Sequence, residues 1–332
     1  MRLGTRGSAL ALAQAELVAQ LLQAHAGTDG ASGTVEIVPI VTRGDRESAA
    51  VDDTAGALAG DGPLGAPPPG EDKSRWVSEL ERALSSDEID AAIHSAKDVP
   101  GELPEELELV ATPARAAPED VLCGVAALDA LAPGARVGTS SVRRMAQLRA
   151  AREDLDVVAM HGNIDTRLRK LTDPAERLDA IVLARAGLQR LEKEDAVGAV
   201  LDPERFVPAP GQGTLAIEVR AADIVTRRAL APIGDARSFE CLLAERELAR
   251  ELGASCDTPL GAHALIATDQ MLLRAWIGLP DGSHWIGDEL TGAAAHPEAL
   301  AHELAKRLRS AGAEELLRAS QLWGATGEGP RG

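Results

Sequence analysis

Short apolar runs that end in Gly, Ser, Thr and Arg and then open into helical periodicity constrain this chain more than any other feature. A strand over 136–138 leads through Thr139-Ser140-Ser141 into a helix from Ser141, and a strand over 155–160 leads through His161-Gly162-Asn163 into a helix from Thr166. A further strand is read over 180–183. This alternation predicts βαβ units and a parallel sheet, because parallel neighbours require a crossover long enough to hold a helix. The N-terminus reads the same way: a strand over 2–5, Ser8 as cap, and Leu10, Ala13, Leu17 and Leu21 at helical spacing. Ligands of open α/β sheets lie at the carboxyl ends of strands, so these turns are where function is expected.

Between the two regions lies a strand over 35–41, then a Gly-, Pro-, Ala- and Asp-rich stretch over about 44–72 that includes Pro67-Pro68-Pro69, read as a lid or an irregular loop. A helix over 75–84 follows, and a strand over 89–93 delivers His94-Ser95-Ala96-Lys97-Asp98-Val99-Pro100 as a loop, with Pro100 unable to continue the ladder. After 207–213 comes an apolar strand over 214–219. A helix over 238–252, a hairpin signal at Asp281-Gly282-Ser283 and a helix over 299–310 then read as a smaller α+β unit.

At 332 residues the chain exceeds what one core supports, so two or three domains are expected. Aromatics make up 2% with no Tyr, so the cores must be Leu, Val, Ile and Ala, and an aromatic near a site stands out. A net charge of -18 excludes nucleic acid and anionic membrane surfaces as partners, and a small anion would need a local cluster of arginines. No stretch suits a signal peptide or a bilayer span, which predicts a cytosolic protein. The three cysteines, Cys123, Cys241 and Cys256, fit neither a disulfide framework nor a metal site, and no metal is expected.

Gly138-Thr139-Ser140-Ser141-Val142-Arg143-Arg144 offers backbone N–H groups, hydroxyls and two guanidiniums at a strand-to-helix turn, and the 161–167 turn does so again with Arg167. Helix capping with solvated arginines explains either turn alone; both together, with Arg6 and Arg190 in like positions, favour a shared polycarboxylate site. Asp98 beside Lys97 reads as a surface ion pair or, at a strand's carboxyl end, as a functional carboxylate. His94 alone reads as a partly buried histidine. Cys123 and Cys241 lie among apolar neighbours, whereas Cys256 sits in the polar turn Gly253-Ala254-Ser255-Cys256-Asp257-Thr258-Pro259, open to covalent chemistry or an inert surface thiol. Trp76 reads as a helix staple or a cover for a flat ligand.

These stretches together resemble the porphobilinogen deaminase family over nearly the whole chain. The resemblance runs through Leu3-Gly4-Thr5-Arg6-Gly7-Ser8, Val41-Thr42-Arg43-Gly44-Asp45, 94–100, 137–144, Gly162-Asn163 with Thr166-Arg167-Leu168, Ala186-Gly187-Leu188 with Arg190-Leu191, Pro210-Gly211-Gln212-Gly213, and Ala244-Glu245-Arg246 at its spacing from Cys256 and Pro259-Leu260-Gly261. It implies an α/β fold of two lobes resembling periplasmic binding proteins, with mainly parallel sheets, over 1–113 with 214–231 and over 114–213. A smaller α+β unit over 232–332 carries the cysteine, and a mobile loop spans about 44–75.

The resemblance also implies a cytoplasmic, monomeric transferase of tetrapyrrole biosynthesis with a dipyrromethane cofactor joined covalently to Cys256. Four porphobilinogen molecules are condensed head to tail with loss of ammonia, and hydrolysis releases hydroxymethylbilane. Asp98 would stabilise charge on the ring nitrogens and manage protons, with Lys97 orienting it or binding a carboxylate. Arg143, Arg144, Lys97, Thr139, Ser141 and Asp98 would hold the cofactor. Arg6, Ser8, Ser140, His161, Arg167, Arg190, Gln212 and Trp76 would serve the substrate. His161 stands where the family usually has arginine, and 65–70 is an insertion in the loop. Lys73-Ser74-Arg75-Trp76 replaces the family's Gly-Leu-Phe after the lysine, and Ala254-Ser255 replaces a glycine pair. A non-catalytic binder of tetrapyrroles or other polycarboxylates is the alternative from another class, and an enzyme using Cys256 as a turnover nucleophile is a second.

Overall fold

The computed structural model describes residues 1–29, 34–42, 74–254 and 258–326, and its strands fall into three sheets. The chain opens with β1 (Arg2–Arg6), α1 (Ala9–Asp29), β2 (Glu36–Ile40), α2 (Ser74–Ser85), β3 (Ala91–Ser95) and β4 (Leu107–Ala111). It continues through β5 (Asp120–Cys123), β6 (Arg136–Gly138), α3 (Val142–Ala151), β7 (Asp156–Val158), α4 (Ile164–Thr172), β8 (Ala180–Ala184), α5 (Arg185–Arg190) and β9 (Ala199–Val200). Next come β10 (Leu215–Arg220), α6 (Ile224–Leu230) and α7 (Ala236–Glu251). The chain ends with β11 (Leu260–Ala267), β12 (Gln270–Gly278), β13 (Trp285–Ala293), α8 (Pro297–Ser310) and α9 (Ala313–Thr326).

The first sheet has the order β2-β1-β3-β10-β4 and the second β7-β6-β8-β5-β9. β1 and β6 pair parallel with both neighbours, whereas β10 and β5 run antiparallel to both of theirs. All strands but one in each sheet therefore run the same way, as the strand-and-helix alternation predicts. The exceptions are the strands reached immediately after the chain crosses from one sheet to the other, so each lobe is completed by a strand delivered from its neighbour. The third sheet, β11-β12-β13, is wholly antiparallel. Its inner face packs on α7 and α8 through Leu248, Ala262, Leu273, Leu304 and Leu308, an aromatic-free core that small side chains close tightly.

Local chemistry explains most element boundaries. Ser8, Ser141 and Asn163 accept hydrogen bonds from the N–H groups of Ala11 (3.3 Å), Arg144 (3.4 Å) and Thr166 (2.9 Å), each capping the helix that follows. The Asn163 cap starts α4 at Ile164, two residues before the expected Thr166. The expected loop from His94 is also shorter: His94 and Ser95 belong to β3, and Ala96–Asp98 forms a single 3-10 turn. On α1 the expected stripe is not the buried one. Ala11, Ala15, Val18, Ala19 and Leu22 are buried, while Leu17 is exposed, because Ala and Leu are spread around the whole helix and the pattern marks no face. Residues 44–73 of the expected loop and Cys256 lie outside the described residues.

Two buried carboxylates join the sheets. Glu245 of α7, fully buried, receives Arg115 Nη1 (2.6 Å) from the first crossing segment, the Gly211 N–H (2.6 Å) from the second, and the Ala264 N–H (2.7 Å) from β11. Gly211 has φ +72°, and a Cβ there would lie 3.0 Å from Ala96 and 3.1 Å from Leu242, so only glycine fits. Asp120, which opens β5, receives Arg143 Nη2 (2.8 Å), Arg144 Nε (2.9 Å) and Gln212 Nε2 (2.9 Å). Arg115 Nε donates to the Gln212 carbonyl (2.9 Å), which links the two centres.

Burial alone would raise the pKa of Asp120, but Arg143 and Arg144, with hydrogen bonds from Arg144 and Gln212, hold it far below the usual carboxylate range. A depressed carboxylate stabilises the fold above the unfolded-state value and loses that stabilisation as pH falls through the folded one. Urea denaturation across pH is expected to show Asp120→Asn well below wild type near neutrality. The gap should narrow progressively as pH falls below about 4, the ordinary Asp range, toward the much lower folded-state value. Glu245→Ala leaves the Arg115 guanidinium and two buried N–H groups without their acceptor, and is expected to cost about 3–5 kcal/mol in the same assay.

Candidate active site

β1 and β3 lie side by side and parallel, so their carboxyl ends open at the same edge of the first sheet. There Arg6, Gln14, Ser95 and Asp98 line one cavity with Ala11, Val77, Ile93 and His94. Gln14 Nε2 donates to Ser95 Oγ (2.8 Å), and His94 is tied through Nε2 to Glu218 Oε2 of β10 (2.8 Å). Asp98 and Lys97 sit half-buried on the turn after β3. The structure thus brings Arg6 and Asp98 together from residues far apart in sequence.

In the second lobe the hydroxyls of the expected anion-binding turn are engaged locally. Thr139 Oγ1 accepts the Ser141 N–H (3.2 Å), Ser140 Oγ exchanges hydrogen bonds with the Met160 backbone, and Ser141 caps α3. Arg143 and Arg144 are buried on Asp120, and Arg144 Nη1 also donates to the Val182 carbonyl (3.1 Å). Arg167 Nε donates to the Gly162 carbonyl (2.8 Å) and Arg190 Nη2 to the Gly213 carbonyl (2.6 Å). Neither is ion-paired with a carboxylate among the described residues. Burial pulls both guanidiniums down to about 10, with Arg144 adding repulsion at Arg167, so both stay charged at neutral pH. Arg190 Nε is buried without a hydrogen-bond partner among the described residues. His161 is exposed on the turn before α4.

Gln212 is 1% exposed, with Nε2 shared between the Pro118 carbonyl (2.7 Å) and Asp120, so it holds the two crossing segments together. The side chain of Trp76 lies outside the described residues. Cys123 and Cys241 are buried, and burial pushes their thiols up to about 11 and about 12, the latter with help from Glu245. Neither suits nucleophilic work. A larger cavity, about 490 Å³, opens between α3 and the third sheet against Gln147, Trp276 and Trp285, but it contains none of the expected site residues.

Five residues of this framework escaped sequence reasoning: Arg115, Asp120, Glu218 and the pair Glu245-Arg246, quoted only as a spacing marker. Their signal is an acid inside an otherwise apolar element, Asp120-Val121-Leu122-Cys123 and Leu215-Ala216-Ile217-Glu218-Val219, where a charge persists only if something pairs with it. Among the described residues no helix is long and apolar enough to cross a membrane, and no group of His, Cys, Asp and Glu could hold a metal ion.

Two family models cover most of the chain: "Porphobilinogen deaminase, dipyromethane cofactor binding domain" over 1–228 and "Porphobilinogen deaminase, C-terminal domain" over 239–310. Curated relatives include the porphobilinogen deaminase of Roseiflexus castenholzii, 41% identical over 320 residues, covering 96% of this chain and 98% of that one. That of Deinococcus radiodurans is 42% identical over 320 residues, covering 95% and 97%. Among solved structures, a YaeC-family lipoprotein from Enterococcus faecalis aligns at TM-score 0.40 and 13% identity over 71% of this chain and 91% of its own. A Salmonella typhimurium periplasmic binding protein with high arginine specificity aligns at TM-score 0.36 and 12% identity over 70% and 91%. With family models over both its lobes and its third unit, and relatives near 40% identity along almost its whole length, the chain belongs to the porphobilinogen deaminase family.

Proposed function

We propose that this chain condenses four porphobilinogen molecules into hydroxymethylbilane at the cavity where Asp98 and Arg6 meet. The observation that carries the placement is that this cavity lies at the carboxyl ends of adjacent parallel strands, with a carboxylate and a guanidinium as its charged lining. Family membership supports the reaction itself.

The residues present suit a dipyrromethane group and its elongating chain. Every pyrrole unit carries carboxylates, and the half-buried guanidiniums of Arg167 and Arg190, with the buried, orphaned Nε of Arg190, are donors that lack acidic partners among the described residues. When bound, the cofactor supplies the pyrrole carbon to which the first substrate is joined. Arg6, Arg167, Arg190 and His161 would bind carboxylates, with Ser8 and Lys97 as further donors and Trp76 as a stacking surface. Thr139, Ser140, Ser141, Arg143 and Arg144 shape the turn that faces the ligand, and Gln212 fixes the crossing segments on either side. Asp98 would accept hydrogen bonds from pyrrole N–H groups, stabilise positive charge on those nitrogens and take the proton released when the new carbon–carbon bond forms. Cys256, which falls between α7 and β11 in the sequence, would carry the cofactor through a thioether.

The same reading takes the protein as a cytoplasmic monomer in three units, 1–113 with 214–231, 114–213 and 232–332. The separate sheets support that division, and a net charge of -18 supports the absence of nucleic-acid and membrane partners.

Intact-mass measurement of the purified protein is expected to reveal an adduct of two pyrrole units that is missing from Cys256→Ala. An unmodified wild type that stays unmodified after incubation with porphobilinogen would rule out the covalent carrier. In the loaded enzyme, Asp98→Asn is expected to lower ammonia release by about 10²–10⁴-fold with the mass adduct retained, the range of a positioned acid–base group. Ammonia release at the wild-type rate would remove Asp98 from the chemistry.

A further inference from the structure

The turn that carries Lys97 and Asp98 is seated on the third unit. Arg246 of α7 donates from Nη1 to the Val99 carbonyl (3.2 Å) and from Nη2 to the carbonyls of Pro100 (2.6 Å) and Gly101 (3.2 Å). One helical turn earlier, Leu242 packs against Ala96 and Val99, the apolar underside of the same turn. The Ala96 N–H donates to the Thr214 carbonyl (3.0 Å), and the missing side chain of Gly211 lets Ala96 and Leu242 close on the second crossing segment.

The incoming end of the turn is held as well. His94, directly before Ser95, is bonded to Glu218, and Glu218 is fully buried. Burial lowers the pKa of Arg246 while the Glu218 carboxylate opposes that shift, which places the guanidinium within the field of the same acid. His94 braces one side of the turn and Arg246 the other, with Glu218 between them. Three consecutive carbonyls form a row that a planar guanidinium fork spans and an ammonium does not.

We propose that Arg246 is a positioning residue for Asp98, through which the unit bearing Cys256 sets the placement of the carboxylate over the cavity. Arg246 reaches the backbone after Asp98, so its action runs through the turn. Losing it leaves three carbonyls without their donor and frees the turn on its outgoing side, and misplacement by about 1 Å is enough to cost about 10²-fold in rate. The inference rests on the reading of Asp98 given above.

The test uses the cofactor-loaded enzyme with Arg246→Ala and Arg246→Lys, read by amide hydrogen exchange over 95–101, by kcat and KM for ammonia release, and by intact mass. Expected for Arg246→Ala are faster exchange confined to that segment, a kcat lower by roughly 10- to 100-fold with KM little changed, and partial recovery of kcat with added ethylguanidine. Arg246→Lys should fall between alanine and wild type, and it carries the test if the alanine variant does not fold. Wild-type exchange over 95–101, or a loss of rate that ethylguanidine leaves untouched and that accompanies exchange throughout the molecule, would overturn the proposal. Exchange needs no turnover, so failure of the deaminase reading would appear separately, as a wild type that releases no ammonia.

Discussion

A single buried carboxylate, Glu245, is the contact on which the arrangement of the three sheets depends. Taking it out of water costs several kcal/mol, and only a full set of charge-assisted hydrogen bonds offsets that. Its partners come from both segments that cross between the lobes and from the first strand of the third sheet. Apolar packing of comparable area would hold the units together without choosing one register. The carboxylate is satisfied only when Arg115, Gly211 and Ala264 all arrive, so its cost becomes a penalty on every misdocked arrangement.

Asp120 extends the same logic into the second lobe. Its partners Arg143 and Arg144 stand in the first turn of α3, directly after the Thr139-Ser140-Ser141 turn, and Gln212 comes from the returning segment. The strand that enters the second lobe, the helix that follows β6 and the chain leaving for the first lobe are thereby locked to one atom group. Arginines that sequence alone assigns to a ligand are also tied into the framework beneath their turn. Arg167 and Arg190, one and two strand ends further on, keep their charge without such a partner among the described residues, and the difference between the pairs lies in Asp120 alone.

Sequence pattern made the lobes legible because β6, β8 and β10 are short apolar runs bounded by turn residues, and Ser8 and Ser141 announce their helices. It failed where pattern is uniform, as on α1, whose Ala and Leu residues mark no face, and where a strand is too short or mixed, as in β4, β5 and β9. The motif turns pointed to Arg6 and Asp98 at strand ends, and the fold sets these two on one cavity. Asp120, Glu218 and Glu245 stayed hidden because a buried acid declares itself only through partners remote in sequence: 23 residues or more separate Asp120 from Arg143, and 130 separate Arg115 from Glu245.

An acidic protein that binds polyanions must place its cations where its own field does not reach them in full and where water does not compete. With a net charge of -18, long-range attraction is of the wrong sign for a polycarboxylate, so affinity has to be local. Arg167 and Arg190, proposed above as carboxylate donors, fit that requirement: both are half-buried, and burial lowers their pKa to about 10. A carboxylate docking against either restores the lost stabilisation at low local dielectric, where a charge pair is worth several times its value in water. Arg190 is held on the carbonyl of Gly213, the residue after Gln212, which Asp120 fixes, so a buried acid of the fold steadies the segment on which a cation rests.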